Sequence, residues 1–96
     1  MIYQVCGKTM TVIFYIVGSS VSGSPTSLNI AIPGGYTAAF DILNACVVVD
    51  NGTEAAAKCY VSTSGATITV QHIGNGAFAN STTSTNVQGQ ITFQIQ

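Results

Sequence analysis

Hydrophobic and polar residues alternate along much of this chain with a period of two, which is the pattern of half-buried β-strands. In residues 26–32, Leu28, Ile30 and Ile32 share one side of such a strand. Segments 67–73 and 89–95 alternate in the same way. Because no run of ten or more residues shows the 3.6-residue period of an amphipathic helix, the pattern predicts a chain built of strands.

Three further strand candidates are apolar without strict alternation: residues 11–17, 45–49 and 56–63. The continuous apolar run at 45–49 predicts a central strand that is buried on both of its faces. Residues 36–43 stay open between a helical turn and an irregular strand, since Phe40 and Leu43 are spaced three apart.

Turn signals separate these segments. Asn51-Gly52 is the strongest hairpin signal, and we expect a four-residue loop at 51–54. Residues 18–25 and 74–85 are predicted to be long polar loops, because they are rich in Gly, Ser, Asn and Thr. Turn signals at this spacing are typical of an antiparallel β-sandwich or barrel, here with about six to eight strands. We expect the last strand to be a sheet edge.

The sequence predicts a single β-sandwich domain over residues 10–96, because one chain of 96 residues is the length of one domain. Residues 1–9 precede it and are predicted to form either an N-terminal arm that docks on a partner or an extra edge strand. Tyr3 and Val5 would be the apolar contacts of such an arm.

Charge is scarce, with two Lys or Arg and three Asp or Glu, whereas 47% of the residues are hydrophobic. So few cations exclude a basic nucleic-acid footprint and a polybasic membrane patch. The longest apolar run, residues 10–17, is too short to span a membrane, and its β-branched and aromatic composition favours a strand over a signal peptide. Because a net charge of −1 gives little self-repulsion, we expect part of the apolar surface to lie between subunits.

The candidate chemical groups do not form a known catalytic or metal motif. His72 is the single histidine, and the alternation places it on the same face as Ile68 and Val70, as a structural side chain. Asp50 and Glu54 bracket one turn, where pairing roles explain them better than a glycosidase pair or a weak calcium site. We therefore predict a protein that is not an enzyme, with no catalytic residue, cofactor or metal.

The three cysteines are Cys6, Cys46 and Cys59. An odd number in a short chain does not indicate a disulfide framework. In the predicted hairpin Cys46 and Cys59 lie directly opposite each other, so a cross-strand bridge is geometrically possible. Reduced thiols are favoured for a protein assembled in the cytosol, and the bridge stays open as the alternative.

Two residues of the polar loop 74–85 are candidate partner contacts. Phe78 is an aromatic residue in polar surroundings, so it anchors either its own loop or a partner. Asn80 begins the sequon Asn80-Ser81-Thr82 in the same loop. With Tyr3 and Val5, these residues complete the set of predicted partner-binding positions.

The run IPGGYTAAFDILNACVVVDNGTEAAAKCYVSTSGATITVQ, residues 32–71, belongs to a chain that is rich in Thr, Ser, Gly and Asn and poor in charge. In this composition, over residues 11–96, the chain resembles small bacteriophage virion proteins, namely capsid decoration (cement) proteins and fibre-tip modules. The resemblance implies a jelly-roll-like fold and a homotrimer.

The resemblance also implies a function. A capsid decoration subunit would bind the major capsid protein or other virion proteins and stabilise the head, with assembly in the host cytoplasm and residence in the virion. The alternative is the receptor-binding knob of a tail fibre or head fibre, which would bind a cell-surface glycan. Since the chain carries no collagen-like or coiled-coil trimerising segment, the decoration role is favoured.

Overall fold

The computed structural model describes residues 2–21, 26–74, 76–78 and 81–96. These residues form one antiparallel sheet of seven strands, in the order β1-β2-β7-β4-β5-β6-β3. The strands are β1 (Ile2–Cys6), β2 (Thr9–Val21), β3 (Leu28–Ala31), β4 (Ile42–Asp50), β5 (Thr53–Val61), β6 (Thr67–His72) and β7 (Ser81–Gln94), with a short 3-10 turn at Pro33–Gly35. The predicted all-β antiparallel fold is confirmed. Among the described residues, no helix is long and apolar enough to cross a membrane.

The two layers of the fold are parts of this one curled sheet. β7 pairs with β4 only where Asn86, Val87 and Gln88 face Val49, Val48 and Val47. The segment that follows β3 then returns to β7, where Ala38 forms a bridge with Ile95. The Ala39 amide also donates to the Gln94 carbonyl at 2.7 Å. These contacts fold the inner face of the sheet onto itself and enclose the core.

The core is built from the inward positions of the alternating strands. On β2, Met10, Val12 and Phe14 are buried, and Met10 and Val12 lie opposite Phe93 and Ile91 of β7. Each fully buried side chain of this size contributes roughly 1.5–3 kcal/mol of transfer free energy. The complete set of buried hydrophobic residues is Met10, Val12, Phe14, Ile30, Ile32, Ala38, Cys46, Val48, Ala57, Cys59, Val61, Ile68, Val70, Phe78, Val87, Ile91, Phe93 and Ile95.

One half-buried glycine borders this core at a close approach of two strands. Gly89 is the cross-strand partner of Phe14. A Cβ atom on Gly89 would lie 2.8 Å from the Phe14 Cζ atom and 2.8 Å from the Cys46 Cβ atom. The phenyl ring of Phe14 and the side chain of Cys46 therefore occupy the space that a side chain at position 89 would need.

The β4–β5 hairpin turns more tightly than predicted. Asp50 pairs with Thr53, so only Asn51 and Gly52 form the turn, with φ angles of 49° and 86°. Positive φ at both positions is the type I′ geometry that suits the twist of a hairpin. The expected four-residue loop was wrong, because the loop has two residues and the pairing of β4 with β5 is shifted by two residues. Since side chains alternate between faces every residue, a shift of two leaves each side chain on its predicted face.

Both predicted long loops contain strand. β2 continues to Val21 and β7 begins at Ser81, with Ser19 opposite Thr85. The polar residues there escaped prediction because they pair with each other and give no apolar alternation. The prediction that the last strand is a sheet edge was wrong. β7 is a central strand between β2 and β4. In the open segment 36–43, strand begins only at Ile42.

Residues 2–6 form the edge strand β1, joined to β2 by a turn at Gly7 and Lys8. Val5 is half-buried and packs against the core. Tyr3 is 47% exposed, and its hydroxyl lies 3.5 Å from the place where a Cβ on Gly34 would stand. Of the two alternatives for this segment, the structure has the edge strand, whose inner face lies against the rest of the fold.

Candidate interaction face

The outer surface of the sheet carries a row of neighbouring side chains that crosses four strands. Tyr15 of β2 lies opposite Gln88 of β7, Gln88 lies opposite Val47 of β4, and Val47 lies opposite Ala56 of β5. The Ile73 amide donates to the Ala56 carbonyl at 3.3 Å, which extends the row past the end of β6. Because cross-strand partners share a face, these residues form one continuous outward band.

Large apolar side chains are exposed along this band and beside it. Ile13 is the cross-strand partner of Ile2 on the same face as Tyr15. We define the outer apolar face by six exposed residues: Ile2 (69% exposed), Ile13 (45%), Tyr15 (63%), Leu43 (67%), Val47 (51%) and Ile73 (61%). Exposed apolar side chains are characteristic of interaction surfaces where they form a contiguous patch of about a few hundred Å².

Two opposite charges interrupt the apolar face. Glu54 and Lys58 lie on β5, two residues to either side of Ala56, and therefore point outward with it. Lys58 is the cross-strand partner of Ala45 on β4. In the part of the chain that the structure describes, neither Glu54 nor Lys58 forms a salt bridge.

A cleft opens on this face where β4 separates from β7. It has a volume of about 540 Å³ and is lined by Ile13, Phe14, Tyr15, Cys46, Val47, Gln88, Gly89 and Gln90. The Asn44 side-chain amide donates to the Gln90 carbonyl at 3.1 Å and joins the two separating strands. The cleft thus combines apolar walls with amide groups, which suits an inserted apolar side chain with polar atoms nearby.

A second cluster lies at the end of β6 on the inner side of the sheet. The His72 Nε2 atom lies 2.9 Å from the Asp50 Oδ2 atom, and both side chains are mostly buried. The Phe78 ring packs on the imidazole with a centroid distance of 4.4 Å and a tilt of 38°. The inward placement of His72 beside Ile68 and Val70 was predicted, and its partner Asp50 was not, because they are distant in sequence.

This cluster fastens three parts of the chain together. Asp50 ends β4, His72 ends β6, and Phe78 belongs to the loop that follows β6. The Asn51 amide also donates to the Thr85 hydroxyl at 3.5 Å, which adds β7 to the same end of the fold. Glu54 is not part of the cluster, since it is one residue past the paired Asp50 and Thr53 and therefore lies on the outer face of β5, opposite Val49.

No family model, curated protein or solved structure matches this chain. Its function must therefore be argued from its own surfaces. Among the described residues, no group of three or more His, Cys, Asp or Glu side chains is placed to hold a metal ion.

The predicted partner contacts have different positions. Phe78 is fully buried, so it anchors its own loop and is not exposed for a partner; that part of the prediction is corrected. Tyr3 is partly exposed at the sheet edge and Val5 packs inward, and their partner role stays a prediction. Asn80 lies outside the described residues. The residues of the outer apolar face were not selected individually from the sequence.

The cysteines are free thiols, with Cys6 exposed and Cys46 and Cys59 buried. Since Cys46 pairs with Ala57 and Cys59 pairs with Asn44, the two buried cysteines are diagonal neighbours rather than direct partners. The Cys46 thiol donates to the Cys59 sulfur, and this contact, with burial, raises the pKa of Cys46. Cys46 is therefore a protonated thiol at neutral pH.

Asp41 gives the fold a dependence on acid. Its Oδ1 atom accepts hydrogen bonds from the Thr63 amide at 2.7 Å and the Thr63 hydroxyl at 2.9 Å. These bonds favour the carboxylate and lower the pKa of Asp41 from its usual 3.8. A lowered pKa in the folded state adds stability above the unfolded-state pKa, and that stability is lost as pH falls through the folded-state pKa.

We expect Asp41→Asn to be less stable than the natural chain at neutral pH, by a small amount because the carboxylate is exposed. The difference should shrink once pH falls below about 3.8. Urea unfolding of both chains across this pH range measures it. A difference that stays constant with pH would show that the ionised carboxylate contributes nothing.

Proposed function

We propose that this protein is a non-enzymatic structural subunit of a virion, a homotrimer that decorates the capsid and stabilises the head. The observation that carries the proposal is the outer apolar face. A chain with five charged residues in 96 leaves six large apolar side chains between 45% and 69% exposed. Covering such a surface by association releases free energy roughly in proportion to the apolar area removed from water.

The sequence pattern supports covering this face in an assembly. The apolar run 45–49 has the composition of a strand buried on both faces. In the single chain Val48 is fully buried, whereas Val47 on the opposite face is 51% exposed. The run 10–17 behaves in the same way, with Phe14 inside and Tyr15 outside. Association through the outer face would bury both sides of these strands.

The capsid role rests on the resemblance to phage decoration proteins. A small sheet that binds copies of itself through one face keeps its edges and loops available for other virion proteins. A trimer presents three such sites at once, and several linked contacts bind far more tightly than one. This multivalent contact is how a small subunit would hold neighbouring capsid proteins together.

Sedimentation equilibrium of the purified chain at micromolar concentration tests the proposal. We expect a stable trimer whose thermal unfolding midpoint rises with protein concentration, because unfolding is then linked to dissociation. Heads assembled without the protein should lose heat resistance and regain it when the purified chain is added. A clean monomer that leaves such heads unchanged would refute the proposal, and binding on a glycan array would favour the receptor-binding alternative.

A further inference from the structure

We propose that the outer face of β5 binds a second copy of this chain, with Lys58 of one copy paired to Glu54 of the other. The inference rests on the self-association in the proposed function and goes beyond it by naming one surface and its register. Because each copy offers the same patch to the other, this contact has two-fold symmetry and joins copies in pairs, so it is distinct from any three-fold contact. It has three supports: the spacing of the two charges, the relief of the surrounding face, and the balance of charge on that face.

The spacing prevents the two charges from pairing within one chain. Glu54 and Lys58 are four residues apart on an extended strand, which separates their Cα atoms by roughly 13 Å. An ion pair needs about 4 Å or less between the charged atoms. When a second β5 is laid antiparallel across the first with the two Ala56 residues facing, each Lys58 lies over the other copy's Glu54. The strand is therefore complementary to itself in charge.

The arrangement of large and small side chains on this face also favours the contact. Small residues, Ala45 and Ala56, alternate with the larger Leu43 and Val47 on the paired strands. Shallow clefts lie at both small positions. One is lined by Val47, Glu54, Ala55 and Ala56, and the other by Leu43, Asn44, Ala45, Lys58 and Ile73. In the proposed register the two Ala56 residues face each other, so the small side chain at this position lets the β5 strands of the two copies approach closely, as packing at an interface requires.

The charge balance favours a copy of this chain over a strongly charged partner. The face bears one positive and one negative side chain, so a highly acidic or basic surface would gain from one and be repelled by the other. The free chain exposes 5136 Å². A standard interface of about 800 Å² per partner would cover roughly one sixth of that surface. A contact centred on β4 and β5 needs no other part of the fold.

Charge reversal tests the register. We expect Glu54→Lys alone and Lys58→Glu alone each to raise the dissociation constant between copies by about 10- to 100-fold, because like charges then meet across the contact. The double variant Glu54→Lys with Lys58→Glu should return to within about threefold of the natural chain, since the opposite pairing is restored. Asn29→Lys adds a positive charge on β3, two strands from β5, and should leave the constant unchanged.

Sedimentation equilibrium measures all five chains, with circular dichroism to establish that each is folded. Glu54 and Asn29 are exposed and Lys58 is half-buried on the outer face, so folding should be retained. A natural chain that associates and is insensitive to both single reversals overturns the inference and leaves the proposed function standing. A stable dimer with the expected reversal and rescue supports the surface and overturns the trimer. A monomeric natural chain overturns both. Single variants that weaken association without rescue in the double variant overturn the Glu54–Lys58 pairing.

Discussion

Replacing Phe78 by alanine is expected to lower the free energy of unfolding by about 3–5 kcal/mol, the usual cost of removing a buried phenyl group. Phe78 is fully buried, although the surrounding sequence is polar, and its ring packs on His72. The substitution removes apolar contacts and leaves a cavity above the His72–Asp50 hydrogen bond. Equilibrium unfolding in urea, followed by circular dichroism, measures the change.

The matched control is Phe40→Ala. Phe40 is 58% exposed, so the same substitution there should change stability by about 0.5 kcal/mol or less. If the two variants were equally stable, Phe78 would not be the anchor of its loop. Neither residue belongs to the outer apolar face. A loss of stability in Phe78→Ala would therefore not arise from weakened association through that face.

Gly89→Val is expected to be the second severe substitution. The Cβ atom alone would stand 2.8 Å from both the Phe14 ring and the Cys46 Cβ atom, and valine adds two methyl groups. Overpacking of this kind costs typically about 1–3 kcal/mol and more where the backbone cannot move. Here β7 is held between β2 and β4, so little movement is available and the upper end of that range is expected.

Two comparisons test the cause of this loss. Gly76→Ala should be well tolerated, since a Cβ there meets nothing within 4 Å. Adding Phe14→Leu to Gly89→Ala should recover part of the stability lost by Gly89→Ala, because a smaller residue opposite position 89 relieves the overlap. If the loss of stability in the double variant equals the sum of the losses in Gly89→Ala and Phe14→Leu, the side chains at positions 14 and 89 do not compete for the same space. Thermal or urea unfolding of Gly89→Val, Gly76→Ala, Gly89→Ala, Phe14→Leu and the double variant measures these effects.

Much of the fold follows from local pattern, and the exceptions have physical causes. The alternation at 67–73 and 89–95 predicted strands and their inward residues correctly, because burial of one face imposes a two-residue period. The tight turn at Asn51 and Gly52 was recognised, but its length was not, since both loop lengths leave Cys46 and Cys59 facing inward. Strand order is a long-range property, and so the central position of β7 was missed.

The candidate face shows the limit of sequence reasoning more clearly. The run 45–49 was predicted to be buried on both sides, and in the single chain only one side is. The pattern gives the apolar composition of the strand, whereas the burial of each side depends on what packs against it in the folded chain. Likewise, nothing near His72 in the sequence identifies Asp50 as its partner, because a contact between strand ends depends on the pairing of the strands between them.

The pairing of β2 with β7 has a consequence for the order of events during synthesis. β2 ends at Val21 and its partner β7 begins at Ser81, so about 60 further residues are synthesised before β7 can pair with β2. At a ribosome speed of roughly 5–20 residues per second, that wait is about 3–12 s. Throughout this interval Val12, Phe14 and Ile16 lack their cross-strand partners from β7, and the nascent chain is most exposed to premature association.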